Sequence, residues 1–276
     1  MSRFRLGLHH ALALLATAVF LLPLFWMAVN SLRPVGLPPP QSVEWWPTNP
    51  SWSNYPVVFE MLPMLRYIRN SVIVVATAVP ITLIVASLAG FSMSQLPYRP
   101  RRRLFIFSVV MLMIPSAAVW LFRFQILSWL GLIDSLWALI LPAFAASNPL
   151  FVLLFYWSFH RIPSEMFDAA RLDGSSAFML WRRLALPLVM PTAVAVAILT
   201  FALYWSDFIS PVLYIYDPQS YTLPVGLQIL KQLDPTNWPL LMTGAVLMTL
   251  PIILLFMLLQ RFFLNDMSLA NLFERN

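Results

Sequence analysis

The 276-residue chain contains no cysteine, which excludes disulfide bridges and thiolate metal ligands. Histidine is nearly as scarce. His9, His10 and His160 are too few and too scattered for a metal centre, and solvated or headgroup-facing places suit them better. Charge is thin as well. Charged residues make up 10% of the chain, against roughly 25% in soluble domains, while hydrophobic residues reach 60% and mean hydropathy is +0.78. The phosphate-cradling pattern G-x-x-x-x-G-K-[ST] does not occur, so this chain is not itself an ATPase. No nucleophile and base pair or metal cluster stands out to support catalysis, so an intramembrane enzyme is not expected. What the composition does describe is an all-α integral membrane protein.

Six uncharged runs are long enough to cross about 30 Å of hydrocarbon as helices. The first, 11–29, follows Arg3 and Arg5. A signal peptide shares that pattern, but the run exceeds an h-region of about 7–15 residues and no small-x-small cleavage site follows WMAVNSLRP. A retained span is therefore expected. The further spans are placed at 70–95, 104–122, 136–158, 188–206 and 238–260, with a short polar tail at 261–276. Pro115, near the middle of span three, predicts a kink facing the protein interior, and Pro142 stands inside span four. Segment 31–66 carries Pro34, Pro38, Pro39, Pro40, Pro47, Pro50, Pro56 and Pro63 among Trp45, Trp46 and Trp52. Proline at that density predicts an extended loop, and its tryptophans fit interfacial anchoring better than sugar stacking. Segment 207–237 is too broken by Pro211, Pro218, Pro224 and Gly226 to span.

The arginines orient the bundle. With the N-terminus inside, the cytoplasmic segments hold Arg3, Arg5, Arg99, Arg101, Arg102, Arg103, Arg161, Arg171, Arg182, Arg183, Arg261 and Arg275. The outer segments hold Arg33, Arg66, Arg69, Arg123 and Lys231. This positive-inside bias places both termini and the loop 160–187 in the cytoplasm, and segments 31–66 and 207–237 outside. A net charge of +6 and a pI near 10.1 would also suit nucleic acid, but the basic residues sit at span ends instead of forming one face. No nucleic-acid partner is expected.

One stretch breaks the apolar pattern: SEMFDAARLDGSSAFMLWRRLALP, from Ser164 to Pro187. Ser164 suits an N-cap for a helix beginning at Glu165. Glu165 and Asp168 lie toward the positive end of that helix, Arg171 toward its negative end, and Gly174 supplies a left-handed turn to close it. About two and a half turns are marginal alone in water, so the helix needs a surface to pack against. Ala169 and Ala170 would let another surface approach the backbone, with Met166, Phe167 and Leu172 giving apolar contact at the edges. On these residues alone two readings stand level. One is a docking surface for a soluble partner; the other is an amphipathic connector lying on headgroups, which Arg182 and Arg183 would favour.

The spacing Asp168-Ala169-Ala170, three residues, Gly174, nine residues, Leu184, one residue, Leu186-Pro187 resembles the EAA loop of permease subunits of bacterial ABC importers. The fuller run IPSEMFDAARLDGSSAF, followed by LALPLVMPT, resembles the carbohydrate-type permeases related to the smaller permease subunit of the maltose transporter. Further similarity lies in NSLRP, RNSVIV, LGLIDS, YTLPVGL and QRFF, and so covers nearly the whole chain. The resemblance implies six transmembrane helices of the type I ABC importer permease kind in a bacterial inner membrane. It implies as partners a second permease subunit, two copies of an ABC ATPase, an extracytoplasmic solute-binding protein and membrane lipid. No cofactor is implied on this chain; ATP and Mg belong to the ATPase.

Carried over by position, Glu165, Asp168, Ala169, Ala170, Gly174, Leu184, Leu186 and Pro187 form the coupling segment. Asp168 stands where the family usually has glutamate. Segment 207–237 resembles the family loop that reaches toward the docked binding protein, with Tyr221, Pro224 and Gly226 as candidate contacts. In YWSDF, Tyr204, Trp205 and Asp207 are candidates for lining the pathway, and a solvated place at the membrane boundary is an equal alternative for Asp207. The function implied is import of a sugar-type solute, with glycerol phosphate or a related phosphodiester as the alternative cargo. An ion-coupled secondary transporter is disfavoured, since the six runs hold no ionisable residue.

Overall fold

Long uncharged runs fold as long helices. The computed structural model describes residues 3–145 and 148–260, so the tail 261–276, with Arg261 and Arg275, lies outside the described residues. Among the described residues there is no strand. Among the described residues, four stretches are long and apolar enough to cross a membrane: His9–Ser31, Met64–Ser94, Leu136–His160 and Trp238–Leu259. Counting each of two bent helix pairs as one span raises the number to six.

In chain order the α-helices are α1 (Arg3–Ser31), α2 (Asn54–Met61), α3 (Met64–Ser94), α4 (Tyr98–Leu112), α5 (Ser116–Trp129), α6 (Leu136–Ile140), α7 (Pro149–His160), α8 (Ser164–Leu172), α9 (Ala177–Met179), α10 (Leu186–Leu188), α11 (Met190–Trp205), α12 (Ile209–Tyr214), α13 (Leu223–Leu233) and α14 (Trp238–Leu259). A π-helical stretch, Leu180–Ala185, joins α9 to α10.

Proline decides where two of the apolar runs break. α4 and α5 meet at 96°, a sharper turn than the kink predicted at Pro115. Pro115 lacks the N–H that a continuing helix needs, disfavours helix at Ile114, and itself adopts ψ 133°. As a result Arg123 lies inside α5, not beyond the end of a span. The second break, 85°, falls at Val189 between Pro187 and Pro191. Pro191 opens α11, where a missing N–H costs nothing.

The chain forms two compact units, Met1–Leu65 with Leu223–Pro251, and Arg66–Thr222 with Ile252–Asn276. In the first, the proline-rich segment contains one helix that the proline count argued against. Pro56 falls in the first turn of α2, where its N–H would have no partner anyway, so α2 forms despite it. Asn54 Nδ2 ties that helix back by donating to the carbonyls of Ser31 and Arg33, both at 2.7 Å. Arg33 in turn lies 3.1 Å from Glu44 and donates to the Pro38 carbonyl.

The core of the second unit joins α3, α7 and the helices from α8 to α11. Phe91, Phe155, Phe159, Phe167, Trp181 and Val196 are all buried in it. Two of its helices, α3 and α7, come very close at Gly90. A Cβ built there would lie 2.7 Å from the Phe155 Cβ, 2.8 Å from the Tyr156 nitrogen and 2.9 Å from the Val152 carbonyl oxygen. Ala86, Gly90 and Ser94, all buried and four residues apart, form the small-residue stripe that lets two membrane helices approach so closely. Outward faces are apolar and open, as hydrocarbon allows; Phe20 of α1 is 81% exposed.

Candidate functional site

The coupling segment folds as its local chemistry directs, with one shift at its start. Pro163 holds the N-cap position, with ψ 135° and no side-chain cap, so Ser164 is the first residue of α8 and not its cap. Proline can stop the preceding helix but has no side-chain acceptor to offer the next one. At the other end the Ser175 N–H donates to the Ala170 carbonyl and the Gly174 N–H to the Arg171 carbonyl, each at 3.0 Å. Those two bonds, with Gly174 at φ +82°, make a Schellman cap.

Short length does not leave α8 dependent on an outside surface. Phe167 is buried against the same unit's core, its ring 6.0 Å from that of Phe91, a contribution of about 2 kcal/mol. Arg171 adds a second tether, donating to Gln95 Oε1 at 2.6 Å and to Asp168 Oδ1 at 2.8 Å. The predicted apolar edge is thereby split: Phe167 faces inward, while Leu172 stays 90% exposed and Met166 39%. Glu165, Asp168 and Ala169 are exposed, and Ala170 is half-buried. After the cap, Ser176 accepts from the Met179 N–H, and the π stretch buries Leu180, Trp181 and Ala185. Leu184 and Leu186 pack on the same core, and Pro187 is exposed. The exposed face of α8 is thus carried by a short helix held in its middle by Phe167 and at its C-terminal end by Arg171 and the Gly174 cap.

A cavity of about 370 Å³, its walls mostly apolar, lies in the second unit. Thr82, Ser116, Trp120, Arg123, Tyr204 and Asp207 are among its walls. Two of the three predicted pathway residues are therefore together in one cavity. Trp205 is not in its lining; it is 1% exposed and stacks on Phe201 at 5.4 Å. Asp207 Oδ1 accepts from the Ser210 N–H at 3.1 Å, which caps the start of α12. Neither Arg123 nor Asp207 takes part in a salt bridge among the described residues. The buried Tyr214 hydroxyl donates to the Trp120 carbonyl and joins α12 to α5. Burial raises its pKa, with Arg123 opposing and Asp207 adding to the shift, so it stays a donor through neutral pH. Trp120 was not among the sequence candidates, and Arg123 stood only among the outer-side cations that could attract an anion. Their signal was an aromatic and a cation one helical turn apart, visible only once α5 was known to continue past Phe122.

Two side chains shape the segment after α11. Asp134, at φ 66°, accepts from the N–H groups of Tyr216 and Asp217 at 2.8 and 2.7 Å. Asn70 donates to the carbonyls of Gln219 and Tyr221 at 2.8 and 2.9 Å. Both lie in motifs of the sequence, LGLIDS and RNSVIV. Asn70→Ala removes both bonds of this buried amide and is expected to cost about 1–3 kcal/mol, read as a lower Tm of the purified protein. Of the candidate contacts here, the Tyr221 ring lies 6.2 Å from that of Tyr67, while Pro224 and Gly226 are buried in α13. Tyr216, Pro218 and Gln219 are exposed.

Known proteins are similar to this chain in sequence and in fold. Residues 78–269 match the family described as binding-protein-dependent transport system inner membrane component. The chain is 31% identical to the arabinooligosaccharides transport system permease protein AraQ of Halalkalibacterium halodurans, over 73% of this chain and 71% of that one. It is 26% identical to the trehalose/maltose transport system permease protein MalG of Thermococcus litoralis, over 93% and 92%. Its fold is similar to a chain in the crystal structure of a bacterial ABC transporter involved in import of the acidic polysaccharide alginate, with TM-score 0.75 and 19% identity over 95% and 99% of the two chains. Helical spans, a capped loop helix and these matches together show that the chain belongs to the binding-protein-dependent transport family, as a permease of the carbohydrate ABC importer kind.

Proposed function

We propose that the chain forms half of the translocation pathway of an ATP-driven importer for a sugar-type solute, and that a separate ATPase drives it through Ser164–Pro187. The observation that carries this is the geometry of α8. It presents Glu165, Asp168 and Ala169 outward while Phe167, Arg171 and the Gly174 cap fasten it to the unit behind. A helix held this way transmits a push from a cleft that grips its outer face; an untethered loop would absorb it. The same reading places α8 and both termini in the cytoplasm, and the exposed Tyr216–Gln219 tip toward a solute-binding protein outside.

The cavity is the place where this subunit touches cargo. Tyr204 and Trp120 offer faces on which sugar rings stack, and Asp207 offers an acceptor for hydroxyls. A second reading, an acidic or phosphodiester cargo, rests on the Arg123 guanidinium in the same wall.

Affinity purification from membranes tests the proposal. A second permease and an ATPase should accompany the chain, and solute uptake should stop when ATP is withdrawn; uptake without ATP would rule the importer out. Tyr204→Ala is expected to reduce uptake by about tenfold while leaving the complex assembled, the effect of losing roughly 1.4 kcal/mol of cargo contact. Arg123→Gln separates the two cargoes, since it should abolish uptake of an anionic solute and leave a neutral one nearly unaffected.

A further inference from the structure

A second feature lies apart from the cavity, and its Arg101 and His160 also border the pocket that Ser164 and Glu165 of α8 line. Arg99, Arg101, Arg102 and Arg103 fall in the first turns of α4, where the helix dipole is itself positive, so the helix gains nothing from them. None of the four takes part in a salt bridge among the described residues. Two of them, Arg101 and Arg102, line a groove of about 350 Å³ between α4 and α7, with Tyr98, Phe105, Tyr156, Trp157 and His160. No carboxylate stands in that lining. The groove is built, not incidental. The Phe105 ring lies 6.2 Å from those of both Tyr156 and Trp157, and the Tyr156 and His160 rings stack at 5.5 Å.

Position along α4 says what such a groove meets. Beyond the arginines, the helix exposes Leu104, Ile106, Phe107 and Val110. An exposed apolar face that turns abruptly basic and aromatic marks the level where hydrocarbon gives way to headgroups. Basic pockets between membrane helices at that level suit phosphate-bearing lipid heads. We propose that this groove binds an anionic membrane phospholipid, its phosphate held by Arg101 and Arg102 and its acyl chains laid along the exposed face of α4. A free phosphate would satisfy the guanidinium groups but leave that adjoining apolar face unused. The lipid bridges α4 to α7 on the side from which α8 departs.

The experiment uses the transporter purified with its partner subunits. Mixed micelles containing phosphatidylglycerol or phosphatidylcholine are added, and retained lipid is measured by native mass spectrometry. Phosphatidylglycerol should be retained over phosphatidylcholine. In R101Q/R102Q its occupancy should fall, by about fivefold for each arginine removed. R101K/R102K should recover most of it, and R66Q/R69Q, which changes two exposed arginines outside the groove, should leave it unchanged. If the double glutamine variant does not assemble, Arg102→Gln alone, at an exposed position, carries the same expectation. Equal retention of the two lipids overturns the proposal, as does equal loss in R101Q/R102Q and R66Q/R69Q. Displacement by equimolar inorganic phosphate would show a free-anion site and would overturn it too.

Discussion

Gly90→Val is expected to remove most of the folded protein from the membrane. Even a single Cβ at position 90 falls within 2.7–2.9 Å of the Phe155 Cβ, the Tyr156 nitrogen and the Val152 carbonyl oxygen. Two of those atoms are backbone, so no rotamer change can relieve the overlap and α3 must move off α7. Overpacking typically costs about 1–3 kcal/mol, and a clash against backbone belongs at or above the top of that range. The damage would spread, because Phe91, Phe155 and Phe159 pack in one cluster around the same crossing, and Phe167 of α8 leans on Phe91. Size-exclusion chromatography of detergent extracts, with Tm of whatever remains, measures it. Gly7→Val is the control, since nothing lies within 4 Å of a Cβ there and membrane levels should be normal. A Gly90→Val protein with wild-type yield and Tm would mean that α3 and α7 do not cross as described.

Gly174→Val should act differently, sparing the fold and stopping transport. No atom lies within 4 Å of a Cβ at this position, so the penalty is backbone strain alone. At φ +82° an ordinary L-residue pays about 1–2 kcal/mol, and a β-branched one more. The cheapest escape is to give up the cap that closes α8, which frees the last turn of the helix carrying Asp168 and Ala169. Uptake is expected to fall at least about tenfold at unchanged membrane levels, the factor that 1.4 kcal/mol represents. ATP hydrolysis by the isolated ATPase would be unaffected. Gly174→Asn provides the decisive comparison, because asparagine tolerates the left-handed region, and it should keep most of the uptake. Normal transport in the valine variant would remove the rigid-helix account of coupling.

These two glycines differ in how far the sequence exposes their roles. Gly174 could be assigned from its neighbours, since a left-handed closing residue is needed wherever a short helix ends and turns. Gly90 belongs to a small-residue stripe, Ala86, Gly90 and Ser94, that is present in the chain but says nothing about which helix lies across it. Phe167 shows the same limit. Its place on an amphipathic helix suggested an outward edge, yet Phe91, seventy-six residues earlier, draws it inward. Asp207 and Tyr204 were legible as a charge and an aromatic near a span end. Their meeting with Trp120 and Arg123 was not, because it depends on the 96° turn at Pro115.

What the sequence determined by itself is what depends on local chemistry: the apolar runs that become helices, the bend at Pro115, and the cap that closes α8. Family membership was also legible, through the spacing from Asp168 to Pro187. Tertiary structure alone decided the angle of each break, which face of α8 turns inward, and which side chains share a cavity. The reason is physical. Helix formation and capping are set by bonds within about five residues, whereas burial is set by whichever distant helix comes close enough to exclude solvent. For α8 that helix is α3, reached through Phe91 and through Gln95 just past its end.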